Sequence, residues 1–134
     1  MEVIKEKKAV LHVEDDEIAR DVIRLALGQH YSLEFAVDAD AALSMINQKK
    51  YDSILMDINL KHGMDGIELT QEIRKIPGYE NVPIVAVTAY ASEFDRKEFL
   101  SHGMDYYIAK PFLLQEVVDV MDSVFHKKPL NEYE

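Results

Sequence analysis

The chain has 134 residues, the size of one ordinary domain, and a hydrophobic content of 48% is enough to build a single core. Its 25 acidic and 15 basic residues leave a net charge of -10, which argues against direct binding of nucleic acid through its phosphates. There is no cysteine, no apolar segment of signal-peptide type at the start and no run near the roughly 18 residues that cross a bilayer; disulfides and thiolate metal sites are excluded, and a soluble, cytoplasmic chain without a membrane partner is expected.

Residues 1–8 read as a polar lead-in. Ala9–Val13 is an apolar run of strand length that ends in Glu14, Asp15 and Asp16. Over Glu17–Leu27, Ile18, Val22, Leu25 and Ala26 fall at helical spacing on one face, which predicts the inward side of a first helix, with Gly28 as its stop. Leu33, Phe35 and Val37 alternate with Glu34 and Ala36, the period of a strand, and Asp38 or Asp40 then caps a helix carrying Ala42, Leu43 and Ile46. Lys49 and Lys50 suit its C-terminal end.

Ile54, Leu55 and Met56 form a short apolar run that stops abruptly at the carboxylate of Asp57, as a buried strand would. A loop leads to Gly66 and a helix with Ile67, Leu69, Ile73 and Ile76 largely inward, broken by Pro77 and Gly78. Pro83 opens a strand over 84–87 that ends in Thr88. A helix over Glu93–Ser101 closed by Gly103, a strand Tyr106–Ala109 and the dipeptide Lys110-Pro111 follow. A last helix carries Leu114, Val117, Val118, Met121 and Phe125. Residues 127–134 read as a tail or linker, leaving 9–126 as the domain.

Five alternations of strand and helix predict an α/β fold: a doubly wound, five-stranded parallel sheet of (βα)5 type. Right-handed crossovers, with a reversal of winding after the first unit, put the first strand beside the third, in the order 2-1-3-4-5. In such sheets ligands sit beyond the carboxyl ends of the strands, where Glu14, Asp15, Asp57, Thr88 and Lys110 wait. Carboxylates, a hydroxyl and a lysine without histidine suit a hard cation such as magnesium, with manganese as a substitute. They also suit phosphoryl chemistry, in which a carboxylate oxygen attacks a phosphoryl group to give an acyl phosphate.

The segments VEDDEIAR at 13–20, ILMDINL at 54–60, MDG at 64–66, PIVAVTAYA at 83–91 and YIAKPF at 107–112, taken in order and spacing, resemble the receiver domain of two-component response regulators. The resemblance covers nearly the whole chain. It implies that Asp57 is the phospho-acceptor, receiving its phosphoryl group from the phosphohistidine of a sensor histidine kinase or phosphotransfer protein. It implies that Asp15 holds magnesium directly, Glu14 through water and Asn59 through its backbone carbonyl. Asp16 would be a more distant acidic neighbour, or simply the N-cap of the first helix. Thr88 would be the switch hydroxyl, Tyr107 the switch aromatic, and Lys110, ahead of a cis proline, the partner of the aspartyl phosphate. Phosphorylation would then alter the face made by the fourth helix, fifth strand and fifth helix, where a partner or a second copy of the chain docks. Such a protein is no turnover enzyme; it catalyses its own phosphotransfer and slow self-dephosphorylation, whether free-standing or cut from a larger regulator or hybrid kinase.

Two features depart from the family pattern. The loop NLKHGMDG lacks the proline many receivers carry and is one residue longer before MDG. Tyr90, two residues past Thr88, would shield the acyl phosphate from water and slow its loss. Two other classes of function stay in view. Asp57-Ile58-Asn59 faintly echoes the aspartate-x-aspartate motif of phosphatases, although Asn59 cannot serve as acid or base and there is no substrate-capping insertion. The other class is a degenerate receiver that only binds partners, against which stand the retained Asp57, Asp15, Thr88 and Lys110. His12 reads as a packed strand residue, His62 and His102 as loop residues without partners at metal-ligand spacing.

Overall fold

The computed structural model describes residues 6–89 and 92–126. Strands and helices alternate as β1 Ala9–Val13, α1 Glu17–Leu27, β2 Ser32–Ala36, α2 Ala39–Gln48, β3 Ser53–Asp57, α3 Gly66–Arg74, β4 Ile84–Thr88, α4 Glu93–Ser101, β5 Tyr106–Ala109 and α5 Leu114–His126. All pairings are parallel, in the order β2-β1-β3-β4-β5 expected from the alternation. The register sets Val13 opposite Met56, Asp57 opposite Val87, and Thr88 opposite Ala109, so the carboxyl ends of the strands form one rim.

Because side chains alternate across each strand, the sheet builds two cores. Leu11, Ile54, Met56, Ile84 and Ala86 face Ile46 of α2, Leu69 and Ile73 of α3, and Phe99 of α4. Val10, Leu55, Val85, Val87 and Ile108 face Ile23 and Leu27 of α1 and Val117 and Met121 of α5. The central strands β3 and β4 are buried at every position, which is why they read as unbroken apolar runs.

The inward face of α1 differs from the expected one. Ala26 is buried as expected, but its buried companions are Ile23 and Leu27, whereas Ile18 and Leu25 are 72% and 78% exposed. The helix carries apolar side chains on two sides, and periodicity alone does not say which side the sheet claims. In β2 the strand stops at Ala36, and Val37 is exposed because the chain turns there for Asp38 to cap α2 by accepting from the Ala41 N–H at 2.8 Å. Leu114 likewise faces solvent at the start of α5, ahead of buried Val117 and Met121.

Two local devices fix the loops below and beside the rim. Asp65 and Glu68 form a reciprocal capping box at the start of α3. The next residue, Gly66, packs so tightly on β3 that a Cβ there would overlap the Asp57 carbonyl oxygen and lie 2.8 Å from Ile58 Cα. At the other end of α3, the guanidinium of Arg74 donates to the carbonyls of Gly103 (Nη2, 2.6 Å), Tyr79 (2.9 Å) and Val82 (2.6 Å) and pairs with Asp105 at 3.0 Å. It ties the α3–β4 connection to the α4–β5 connection; nothing in its residue type marks it in the sequence.

Gly66→Ala forces the α3 start away from the Asp57 backbone and should cost about 1–3 kcal/mol in urea unfolding. Arg74→Ala leaves three carbonyls without their donor and should cost on the order of 2–3 kcal/mol. Arg74→Lys should recover only part of this, because one ammonium cannot span the same acceptors. Losses below about 0.5 kcal/mol in either alanine variant would contradict these assignments.

Candidate functional site

Beyond the end of β1, Glu14 and Asp15 meet Asp57, the last residue of β3, because these strands are hydrogen-bonded neighbours. The Glu14 N–H donates to the Ala36 carbonyl at 2.9 Å, continuing the β1–β2 ladder under the turn, and Arg20 Nη1 donates to the Glu14 carbonyl at 2.9 Å. Carboxylate oxygens of Glu14, Asp15 and Asp57 lie within 4.8 Å of one another. Glu14 is fully buried, Asp57 is 3% exposed and Asp15 is half-buried.

Thr88 ends β4, buried, one strand over from Asp57. The Lys110 N–H donates to the Thr88 carbonyl at 2.7 Å, which anchors the residue just past β5. From there Lys110 Nζ donates to Glu14 Oε1 at 2.9 Å and lies 3.7 Å from Asp57 Oδ1. The Lys110–Pro111 bond is cis, as the resemblance implied. All five residues expected at the strand ends therefore share one rim, with Lys110 in direct contact with the acids.

Two backbone amides of the loop after β3 also reach the carboxylates. The Asn59 N–H donates to Asp57 Oδ1 and the Lys61 N–H to Asp15 Oδ2, each at 3.1 Å. Burial and the adjacent Asp57 carboxylate push Glu14 up from its ordinary 4.5 to about 8, against the opposing pull of Lys110. Burial works against the charge on Lys110, but the hydrogen bond and attraction of Glu14, with Asp57 behind it, outweigh that and hold its pKa above the ordinary value. Lys110 is thus the one cationic side chain in contact with Glu14 and Asp57 among the described residues, and burial beside Asp57 favours a proton or a cation on Glu14.

Glu14 Oε2 is buried without a hydrogen-bond partner among the described residues. An orphaned oxygen beside two further carboxylates is a donor set that fits a hard divalent cation, which prefers oxygen ligands. Asp16 lies outside that cluster; its side chain caps α1, accepting from the Ala19 N–H at 3.2 Å. His12 is fully buried in β1 with its ring edge-on to Phe35, and burial, reinforced by the charge on Lys110, pushes it down to about 3, so it stays neutral. His62 is exposed in the loop, and His102 caps the end of α4 beside Gln71 Nε2 at 3.1 Å.

Tyr107 is half-buried on β5, and the Arg96 guanidinium of α4 stacks over its ring at 4.5 Å. Tyr90, together with Ala91, lies outside the described residues. Arg20 and the Lys61 amide touch the acidic site, and Arg96 touches Tyr107, without having stood out in the sequence. An arginine on a helix is common, and a backbone amide leaves no mark in residue type.

The family model for the response regulator receiver domain matches residues 10–122. The response regulator MprA of Mycobacterium avium is 32% identical over 127 residues, covering 93% of this chain and 54% of the relative. The hybrid signal transduction histidine kinase I of Dictyostelium discoideum is 36% identical over 121 residues, 82% of this chain and 7% of the relative. The chain thus spans about half the length, or less, of these curated relatives.

Among solved structures, the chemotaxis response regulator CheY4 of Vibrio cholerae superposes with a TM-score of 0.83 at 26% identity, covering 90% of this chain and 99% of that one. The receiver domain of the sensor histidine kinase PA1611 of Pseudomonas aeruginosa PAO1, described with a magnesium ion coordinated in its active site cleft, superposes at 0.80 with 33% identity, covering 91% and 99%. With the acidic rim, the sheet order and the family match in agreement, this chain belongs to the response regulator receiver domains of two-component, phosphorylation-dependent signalling.

Proposed function

We propose that the chain is a switch operated by phosphorylation of Asp57. The observation that carries this reading is a nearly buried strand-end aspartate with Lys110 Nζ 3.7 Å from its carboxylate and two more carboxylates within 4.8 Å. In the transfer, an Asp57 oxygen attacks the phosphorus of a partner's phosphohistidine. The phosphorus–nitrogen bond breaks, its electron pair returns to the imidazole, which takes up a proton, and an acyl phosphate remains on Asp57. Glu14, Asp15 and Asp57, with the backbone carbonyl of Asn59, would hold magnesium or manganese, which when bound offsets charge on the phosphoryl oxygens. Lys110, held charged, pairs with the same oxygens.

The donor is a sensor histidine kinase or phosphotransfer protein, and the surface beside the site suits a helix from it. A cavity of about 400 Å³ lined by Asp16, Ala19, Val22, Ala89, Lys110 and Phe112 opens between α1 and the start of α5, sharing Lys110 with the acidic rim. Exposed Ile18 and Leu25 fall at helical spacing from Val22 on α1, outside the cavity's lining. An apolar helix face laid there would bring a histidine towards Asp57.

Once Asp57 is phosphorylated, the Thr88 hydroxyl donates to a phosphoryl oxygen and Tyr107 turns inward, leaving Arg96. The face of α4, β5 and α5 changes with it, and a partner or second copy of the chain reads the change. The chain acts on no other substrate and touches no nucleic acid itself; it works in the cytoplasm, in keeping with a described fold in which no helix is long and apolar enough to cross a membrane.

Incubation with a small phosphoramidate donor and magnesium should add one phosphoryl group to the intact mass, and chelation or Asp57→Ala should abolish the gain. An unmodified wild-type chain, or an equally modified Asp57→Ala, would sink the reading. Thr88→Ala should still accept the phosphoryl group but no longer shift the amide resonances of Tyr107 and α4. Shifts as large as in the unaltered chain would remove Thr88 from the switch.

A further inference from the structure

The loop 58–65 is held at its base and along its apolar side. The Ile58 N–H donates to the Val87 carbonyl and the Gly66 N–H to the Ile58 carbonyl, each at 3.1 Å. Ile58 and Leu60 are buried and Met64 packs behind them in the α2–α3 core, while Lys61, His62 and Gly63 are exposed. Gly63, at φ +75 with open space around it, makes the turn that lets this longer loop return to Met64. With Leu60 fixed in the core, the peptide joining it to Lys61 has little freedom, and its N–H points across to Asp15 Oδ2 at 3.1 Å, 46 residues earlier in the chain.

We propose that the Lys61 backbone amide is a positioning group for Asp15, so that the lengthened loop sets how tightly the acidic pocket takes its cation. This rests on the reading of Glu14, Asp15 and Asp57 as cation ligands. The amide occupies one Asp15 oxygen, fixes the carboxylate and leaves the other oxygen for an ion. The Asn59 amide treats Asp57 in the same way at 3.1 Å. Both donors are neutral, so they ease repulsion between the carboxylates without placing a positive charge where the ion would sit. The role belongs to the backbone of residue 61 and not to its exposed side chain.

Magnesium affinity, measured by calorimetry on the unaltered chain, Lys61→Ala and Lys61→Pro, separates backbone from side chain. Lys61→Ala keeps the N–H and should stay within about threefold of the unaltered chain, whereas Lys61→Pro removes it and should bind on the order of tenfold more weakly. In the ion-free protein, hydrogen exchange at the Lys61 amide should be slowed relative to His62, and Asp15→Ala should erase the difference. If Lys61→Pro fails to fold, the exchange experiment decides. Unchanged affinity in Lys61→Pro, equal weakening in Lys61→Ala, or protection that survives Asp15→Ala would overturn the inference. Each of these can occur while the unaltered chain still takes up magnesium. If the unaltered chain takes up no magnesium, the cation reading fails and this inference fails with it.

Discussion

Three carboxylates from two neighbouring strands must share one small space, and the rest of the rim is arranged around that repulsion. Glu14 and Asp57 are almost wholly withdrawn from water; burial first, and the adjacent Asp57 carboxylate after it, raise Glu14 to about 8. The protein meets the repulsion with one lysine and two loop amides. The same carboxylate oxygens form a donor set that fits a divalent ion, whose positive charge, with that of Lys110, would offset the repulsion.

The sheet is what brings those groups together. Parallel pairing in the order β2-β1-β3-β4-β5 sends Glu14, Asp57, Thr88 and Lys110 to the same edge although they are scattered from position 14 to 110. The two cores then hold each strand end in place from opposite sides. Gly66 packs directly on the Asp57 backbone at the rim, while Arg74, at the other end of α3, joins the two connections that lead into the amino ends of β4 and β5.

Much of this was legible in the residues, for identifiable reasons. A strand buried on both faces must be apolar throughout, so β3 and β4 showed their limits at Asp57 and Thr88, and the approximate span of α4 was readable, although its Ser92–Asp95 capping box was not picked out. The side that α1 buries was not legible. Ile18, Val22 and Leu25 form a helical stripe as regular as that of Ile23 and Leu27, and only the sheet and α5 decide between them. Nor could contacts of the Lys61 amide, Arg74 or Arg96 be foreseen, since each depends on where a distant backbone or ring arrives. Asp16 was readable as a cap and takes that role.

The central claim, that crowded carboxylates await a cation, is tested most directly by the urea midpoint of the unaltered chain and of Asp57→Asn across a magnesium series. The account predicts that the midpoint of the unaltered chain climbs with magnesium, and that Asp57→Asn, relieved of one charge, starts higher and scarcely moves. A midpoint indifferent to magnesium in the unaltered chain, or an Asp57→Asn variant that starts lower and climbs equally, would contradict it.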